Sequence, residues 1–142
     1  MTYGELKNLT SVFLIGDNVL PKEEGKIQAA VNAAYTFAAN KCTALKLLTS
    51  NKDNAIMRMG PGNSYVRMPD LPVEDTDILD IDTELGTAIA RIMAHFMAKE
   101  INMKNYHEVK ALEIMRDYEG KVQEYIEEMK NRGTYEDVGE SI

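Results

Sequence analysis

The sequence predicts a mainly α-helical protein, a small bundle of about four helices with one β-hairpin insertion and a long C-terminal helix. Apolar residues recur at helical spacing in several long segments, whereas one short segment combines β-compatible runs with a Gly-Pro-Gly-Asn turn. The 142 residues suffice for one domain with a core of its own. We therefore expect a single helical-bundle domain over residues 1–133, with the hairpin at about 55–68, and an extended C-terminal tail over residues 134–142.

The segment Ile81–Asn102 is predicted to be the central helix. Asp82 is a suitable N-cap residue, and Lys99 places positive charge near the other end. A bulky face is formed by Leu85, Ile89, Ile92 and Phe96, and a small-residue face by Gly86, Ala90, Ala94 and Ala98. Because small residues allow close approach of a neighbour, this helix is expected to contact more than one other helix.

Three further helices are predicted around it. The first spans Tyr3–Phe13 and begins with the capping-box spacing of Thr2 and Glu5. The second starts at Pro21, runs to about Asn40 and is rich in alanine, which makes it the expected neighbour of the small-residue face. The last covers about Tyr106 to Arg132, and its heptad-like apolar positions are Val109, Leu112, Met115, Tyr118, Val122, Tyr125 and Met129.

The predicted hairpin pairs the run Ile56–Met59 with the run Tyr65–Met68. An isolated hairpin is marginally stable in water, so it must pack on the helices or on another chain. Arg58 and Arg67 can lie opposite each other on the two strands. Two interpretations of these charges stay open: they contact an acidic partner surface, or they keep one face of the hairpin soluble.

Composition excludes several classes of function. The net charge of −7 argues against a protein that grips nucleic acid through its phosphates. No apolar run approaches the roughly 20 residues that a membrane-spanning helix needs. Cys42 is the single cysteine, so an intrachain disulfide is excluded, and with no CxxC motif around it a small buried residue is expected.

No catalytic or metal-binding signature is evident, and we expect no enzyme activity and no cofactor. The acids between Glu74 and Glu84 do not fit the EF-hand template, and a solvated connector that ends in a helix cap is the better interpretation. His95 and His107 belong to no metal-binding spacing, and His95 is expected at the polar edge of the central helix, near Arg91. No nucleophile–base pair is recognisable.

The order of these segments resembles the small head–tail connector, or adaptor, proteins of tailed bacteriophages. The likeness covers most of residues 1–130: an opening helix TYGELKNLTSVFL, the alanine-rich IQAAVNAAYTFAANK, the hairpin, a Pro-bearing connector and a long charged helix. In that family an acid-flanked D-x-ELG/L-x-A pattern opens a central helix that ends in A-K. The matching residues here are Asp82, Glu84, Leu85, Ala88, Ala98 and Lys99.

The resemblance implies a virion structural protein without catalytic residues, made in the host cytoplasm and located in the neck between capsid and tail. Such proteins form homo-oligomeric rings, typically of twelve copies, that bind the portal protein and the tail, nozzle or tail-completion proteins, while DNA passes through the channel without specific binding. The interface residues expected here are Arg58, Tyr65, Arg67, Tyr135, Val138 and Ile142. The alternatives are another phage neck or tail-completion protein, or a cytosolic helical interaction or regulatory module that uses the heptad face.

Overall fold

The computed structural model describes residues 1–14, 20–42, 44–46 and 68–131. Four α-helices occur in this part of the chain: α1 (Tyr3–Phe13), α2 (Glu24–Lys41), α3 (Gly86–Met97) and α4 (Ile101–Asn131). A 3₁₀ turn, Thr83–Leu85, leads into α3. The described residues contain no β-strand, and the predicted hairpin at about 55–68 falls almost entirely outside them. The prediction of a mainly helical protein is therefore confirmed.

Helix α3 lies at the centre and packs against α1, α2 and α4. Leu85, Ile89 and Ile92, from the predicted bulky face, are completely buried, as expected for a helix with several neighbours. Phe96 is an exception at 43% exposure, because it lies near the end of α3. Within the small-residue face, Gly86 lies against Met1, and both Ala94 and Ala98 cluster with Leu14, whereas Ala90 belongs to the main core together with residues of α2.

The central helix is shorter than the sequence predicts. Asp82 precedes the 3₁₀ turn and makes no side-chain capping bond, and Ala98 turns to an extended backbone that ends α3. Lys104 satisfies the freed carbonyl groups, because its Nζ donates to the oxygens of His95 at 3.0 Å and Phe96 at 3.4 Å. Lys99 therefore lies in the connection to α4 and not inside the central helix.

The ends of the other helices agree in part with prediction. Helix α1 has the predicted bounds and the complete capping box, in which Thr2 Oγ1 accepts from the Glu5 N–H at 3.2 Å. Helix α2 begins at Glu24, three residues after the predicted start at Pro21. Helix α4 begins at Ile101, five residues before the predicted Tyr106.

The apolar face of α4 differs from the prediction at its N-terminal end. Met115, Tyr118 and Val122 are buried as predicted, but Val109 is 53% exposed and Leu112 is only half-buried. The buried positions at this end of the helix belong instead to His107 and Ala111. Counted back from Met115, heptad spacing reaches Ala111, whereas Leu112 and Val109 lie three and six residues before Met115 and therefore turn toward the edge of the core. Tyr125 is half-buried, and the side chain of Met129 is outside the described residues.

Candidate interaction surface

The six predicted interface residues cannot be placed in the structure. They are Arg58, Tyr65, Arg67, Tyr135, Val138 and Ile142, and all of them lie outside the described residues. Their roles, and the tail over residues 134–142, stay predictions. The described residues instead draw attention to the connector, defined here as residues 69–82, which sequence analysis interpreted as a solvated link.

The connector pairs with the N-terminus of the chain. Thr2 and Ile78 form an isolated antiparallel bridge, flanked by the Tyr3 N–H donating to the Asp77 oxygen (2.8 Å) and the Leu79 N–H donating to the Met1 oxygen (3.0 Å). A Cβ at position 4 would lie 3.2 Å from the Asp75 carbonyl oxygen. Glycine therefore suits this position, because it lets the backbone of α1 approach the backbone of the connector closely. The connector is thus held in place by backbone hydrogen bonds to residues that lie more than 70 positions earlier in the sequence.

Several connector acids fix the connector's own shape. Asp77 accepts the N–H groups of Val73 and Glu74, both at 2.9 Å, and these two bonds lower the pKa of its carboxyl group. Asp80 accepts Lys46 Nζ and the Asp70 N–H, both at 3.0 Å. These carboxylates are already used as hydrogen-bond acceptors. Among the described residues, no group of three or more His, Cys, Asp and Glu side chains could hold a metal ion.

Two further acids attach the connector to the helices. Asp75 forms an ion pair with Lys7 of α1 at 2.7 Å. Asp82 accepts the hydroxyl hydrogen of Tyr118 at 2.5 Å, which joins the start of the 3₁₀ turn to α4. Burial raises the pKa of Tyr118 far above its ordinary value, with the adjacent carboxylate adding to the effect, so this hydroxyl stays a donor.

The connector exposes three apolar side chains and borders a cleft. Leu71, Val73 and Ile78 are exposed, Ile78 by 77% and Val73 by 63%. The cleft has a volume of about 400 Å³ and is lined by Lys46, Asp70, Leu71, Pro72, Asp77, Ile78, Leu79 and Asp80. Exposed apolar side chains beside a cleft are the feature of this surface that suggests binding. Sequence reasoning missed it because the many acids of the segment obscure its three exposed apolar positions.

A second cluster of aromatic and basic side chains is internal. Arg91 Nη1 donates to His107 Nδ1 at 3.1 Å, and its guanidinium lies 3.7 Å from the centre of the Phe13 ring. An arginine can only donate, so Nδ1 must accept and the histidine must be neutral, with its hydrogen on Nε2. Burial is the main cause that lowers the pKa of His107, and the charge of Arg91 adds to it.

This cluster joins α1, α3 and α4. His107 is almost fully buried, and its Nε2 lacks a hydrogen bond of good geometry within the described residues. His95 lies at the edge of α3, as predicted, but its Nδ1 is 2.9 Å from the Lys104 oxygen, and the partner of Arg91 is His107. No sequence spacing indicated that pair, because it depends on the packing of α3 on α4.

Cys42 is a core residue, as predicted. It is 5% exposed, and burial raises the pKa of its thiol to about 12, which keeps it protonated and unreactive. No helix of the described residues combines the length and the apolar character that crossing a membrane requires. Comparison of the chain with protein-family models, curated proteins and solved structures finds no significant match.

Proposed function

We propose that this chain is a head–tail connector adaptor of a tailed bacteriophage, a structural protein that forms a ring under the portal and continues the DNA channel toward the tail. The observation that supports the proposal best is the length of α4. Its 31 residues correspond to roughly 46 Å at 1.5 Å per residue, against roughly 18 Å for the 12 residues of α3. A helix that outruns its own core offers a surface to a neighbouring molecule.

The described side chains in the distal part of α4 make few core contacts. Among the described side chains of α4, Val122 is the last in the core, and Lys121 makes an ion pair with Glu84 at 3.1 Å. After Val122, the described side chains are exposed except for the half-buried Tyr125. The segment Gln123–Asn131 is nine residues, or roughly 13 Å of helix, beyond these contacts. In the proposed adaptor, it carries the C-terminal tail toward the portal.

The charge of the chain is consistent with a channel component. With a net charge of −7, it repels phosphates, as a ring that must let DNA pass requires. The predicted hairpin and the ring of about twelve copies are parts of the proposal. Ring formation requires heterologous side-to-side contacts between copies, so each copy must present two different surfaces.

A helical interaction module that works through the heptad face is less well supported. That face would have to be free for a partner helix, but Met115, Tyr118 and Val122 are buried within the chain's own core. Another neck or tail-completion protein remains the alternative within the same class. It would differ from an adaptor in not binding the portal directly.

Deletion of residues 134–142 tests the proposal. We expect the helical circular dichroism and the thermal midpoint to stay nearly unchanged, because these residues follow the last helix of the described chain. Binding to portal-bearing, DNA-filled heads of the same phage, measured by co-sedimentation, should fall sharply. Undiminished binding of the truncated protein would exclude the tail as the anchor, and failure of the full chain to bind such heads would exclude the adaptor role.

Two variants separate the forces in that contact. Replacing Tyr135, Val138 and Ile142 by Ser removes the apolar anchors but keeps the charge. Replacing Glu136, Asp137 and Glu140 by Gln removes the charge but keeps the size. If apolar side chains seat the tail in portal grooves, the first variant loses binding at every salt concentration, whereas the second mainly changes the salt dependence.

A further inference from the structure

The connector has an open strand edge at Ile78. In the bridge with Thr2, the hydrogen bonds are made by the residues on either side, so the N–H and C=O of Thr2 and Ile78 point away from each other. The backbone groups of Thr2 already have partners in α1. The Thr2 N–H donates to the Glu5 carboxylate at 3.1 Å, and the Thr2 carbonyl oxygen accepts the Leu6 N–H at 3.0 Å. Those of Ile78 have no partner within the part of the chain that the structure describes. An unpaired edge of this kind is a template for an added strand.

The cleft described above forms a groove beside this edge, and hydrogen bonds hold its lining residues. Residues 70–72 are held by the Asp80 carboxylate at one end and by Gln28 of α2 at the other, whose Nε2 donates to the Pro72 oxygen at 2.9 Å. Lys46, which also lines the groove, forms an ion pair with Asp80 at 3.0 Å. Lining residues that are already held in place lose little conformational freedom when a segment binds, which favours strand addition.

The charge around the groove selects a basic occupant. The connector contains six acidic residues and no Lys, Arg or His between Pro69 and Asp82. Asp70 and Glu74 are exposed and are the sequence neighbours of the exposed Leu71 and Val73, and their carboxylates form no ion pair within the described residues. An extended segment with apolar residues and nearby positive charge would match both features.

One segment of this chain has that composition. Residues 55–67 contain two arginines, Arg58 and Arg67, and no acidic residue, and they include the β-compatible runs IMRM and YVR. In a chain with a net charge of −7, contact between copies needs such a local reversal of charge.

We propose that the predicted hairpin, residues 55–67, of a second copy adds one of its strands to the Ile78 edge, which brings Arg58 and Arg67 close to Asp70 and Glu74. The groove and the inserted segment are different surfaces, so the contact is heterologous and can propagate around a ring. This inference rests on the proposed function for its ring, but it concerns only the contact between copies. Binding to the portal does not depend on it being correct.

A pair of charge-reversed variants tests the contact. The groove variant carries Asp70→Lys and Glu74→Lys, and the segment variant carries Arg58→Glu and Arg67→Glu. Each alone places like charges together, and we expect its self-association in sedimentation velocity to weaken at least tenfold relative to wild type. An equimolar mixture should associate again, because each groove then meets a complementary segment on the other variant. Rings from the mixture alternate and therefore have an even number of copies.

The matched control is Glu100→Lys with Asp117→Lys, which makes the same change in net charge at two exposed positions of the described chain away from the groove. It should leave association near the wild-type level. Unchanged circular dichroism of all variants establishes that folding is intact.

Several results would overturn the proposal: a wild-type protein that stays monomeric, a groove variant that associates like wild type, or a mixture that does not recover. If only the variant with all four substitutions recovers, the segment pairs with the groove of its own chain. Intact portal binding with any of these outcomes would leave the adaptor role standing without this contact.

Discussion

The bond between Tyr118 and Asp82 offers a measurement of what holds the start of α3 to α4. Tyr118→Phe removes only the hydroxyl group, whose hydrogen bond to the carboxylate is 2.5 Å long. Hydrogen bonds to charged groups contribute about 1.5–3 kcal/mol to stability. Asp82 is only half-buried, so water partly replaces the lost donor, and we expect a loss near the lower end, about 1.5–2 kcal/mol.

Tyr35→Phe is the matched control, because the same atom is removed from a buried tyrosine without a partner. Tyr35 is completely buried in α2, and its hydroxyl makes no hydrogen bond in the described part of the chain. Leaving a polar group buried and unpaired costs about 1–3 kcal/mol. Removing it should therefore leave the stability unchanged or raise it by about 1 kcal/mol.

Chemical denaturation of both variants by urea, followed by circular dichroism, measures the two free energies of unfolding on one scale. We expect Tyr118→Phe to be less stable than Tyr35→Phe by about 2 kcal/mol. In thermal unfolding, this difference corresponds to roughly 6–10 °C for a chain of this size. If both variants lose the same stability, the short bond to Asp82 contributes nothing beyond packing, and its assigned role in fastening the 3₁₀ turn to α4 is wrong.

Three other expectations follow from single residues and from the charge. Gly120→Ala should stabilise the protein by about 1 kcal/mol, because a Cβ there meets nothing within 4 Å. Gly25→Ala, in the first turn of α2, should stabilise it less. Urea denaturation measures both changes, and a loss of stability in Gly120→Ala would contradict the open space around this residue. Because folding lowers the pKa of His107, the unfolded chain binds more protons at mildly acid pH; the stability that neutral His107 provides is present above about pH 6.5 and is lost as the pH falls below it. His107→Gln, which still offers Arg91 an acceptor, should flatten this dependence between about pH 7 and 5, and an unchanged slope would assign it to other groups. In gel-shift assays at physiological salt, the chain should not bind duplex DNA tightly, and strong, salt-sensitive binding would favour a nucleic-acid regulator over a channel component.

Local patterns in the sequence were sufficient to predict those features of the structure that depend on residues three or four positions apart. The capping box of Thr2 and Glu5 sets the start of α1, and the predicted bounds of that helix are confirmed. The buried positions Leu85, Ile89 and Ile92 follow from helical periodicity alone. Burial of a lone cysteine outside any motif likewise needed no knowledge of its neighbours.

Only the tertiary structure decided features that depend on distant residues. The end of α3 at Met97 depends on Lys104 reaching back from the next helix, so helical periodicity carried the prediction too far. His107 is buried on α4 beside Arg91 of α3, whereas Val109, two residues further along α4, is exposed.

The candidate interaction surface has the same origin. The sequence alone determined that the connector is acidic and contains five aliphatic residues without helical periodicity. It could not determine that Thr2 would pair with Ile78 across 76 positions, because strand pairing depends on which backbone segments the helices bring together. That pairing turns one edge of the connector outward, and the backbone groups of Ile78 acquire their binding potential from the position of α1.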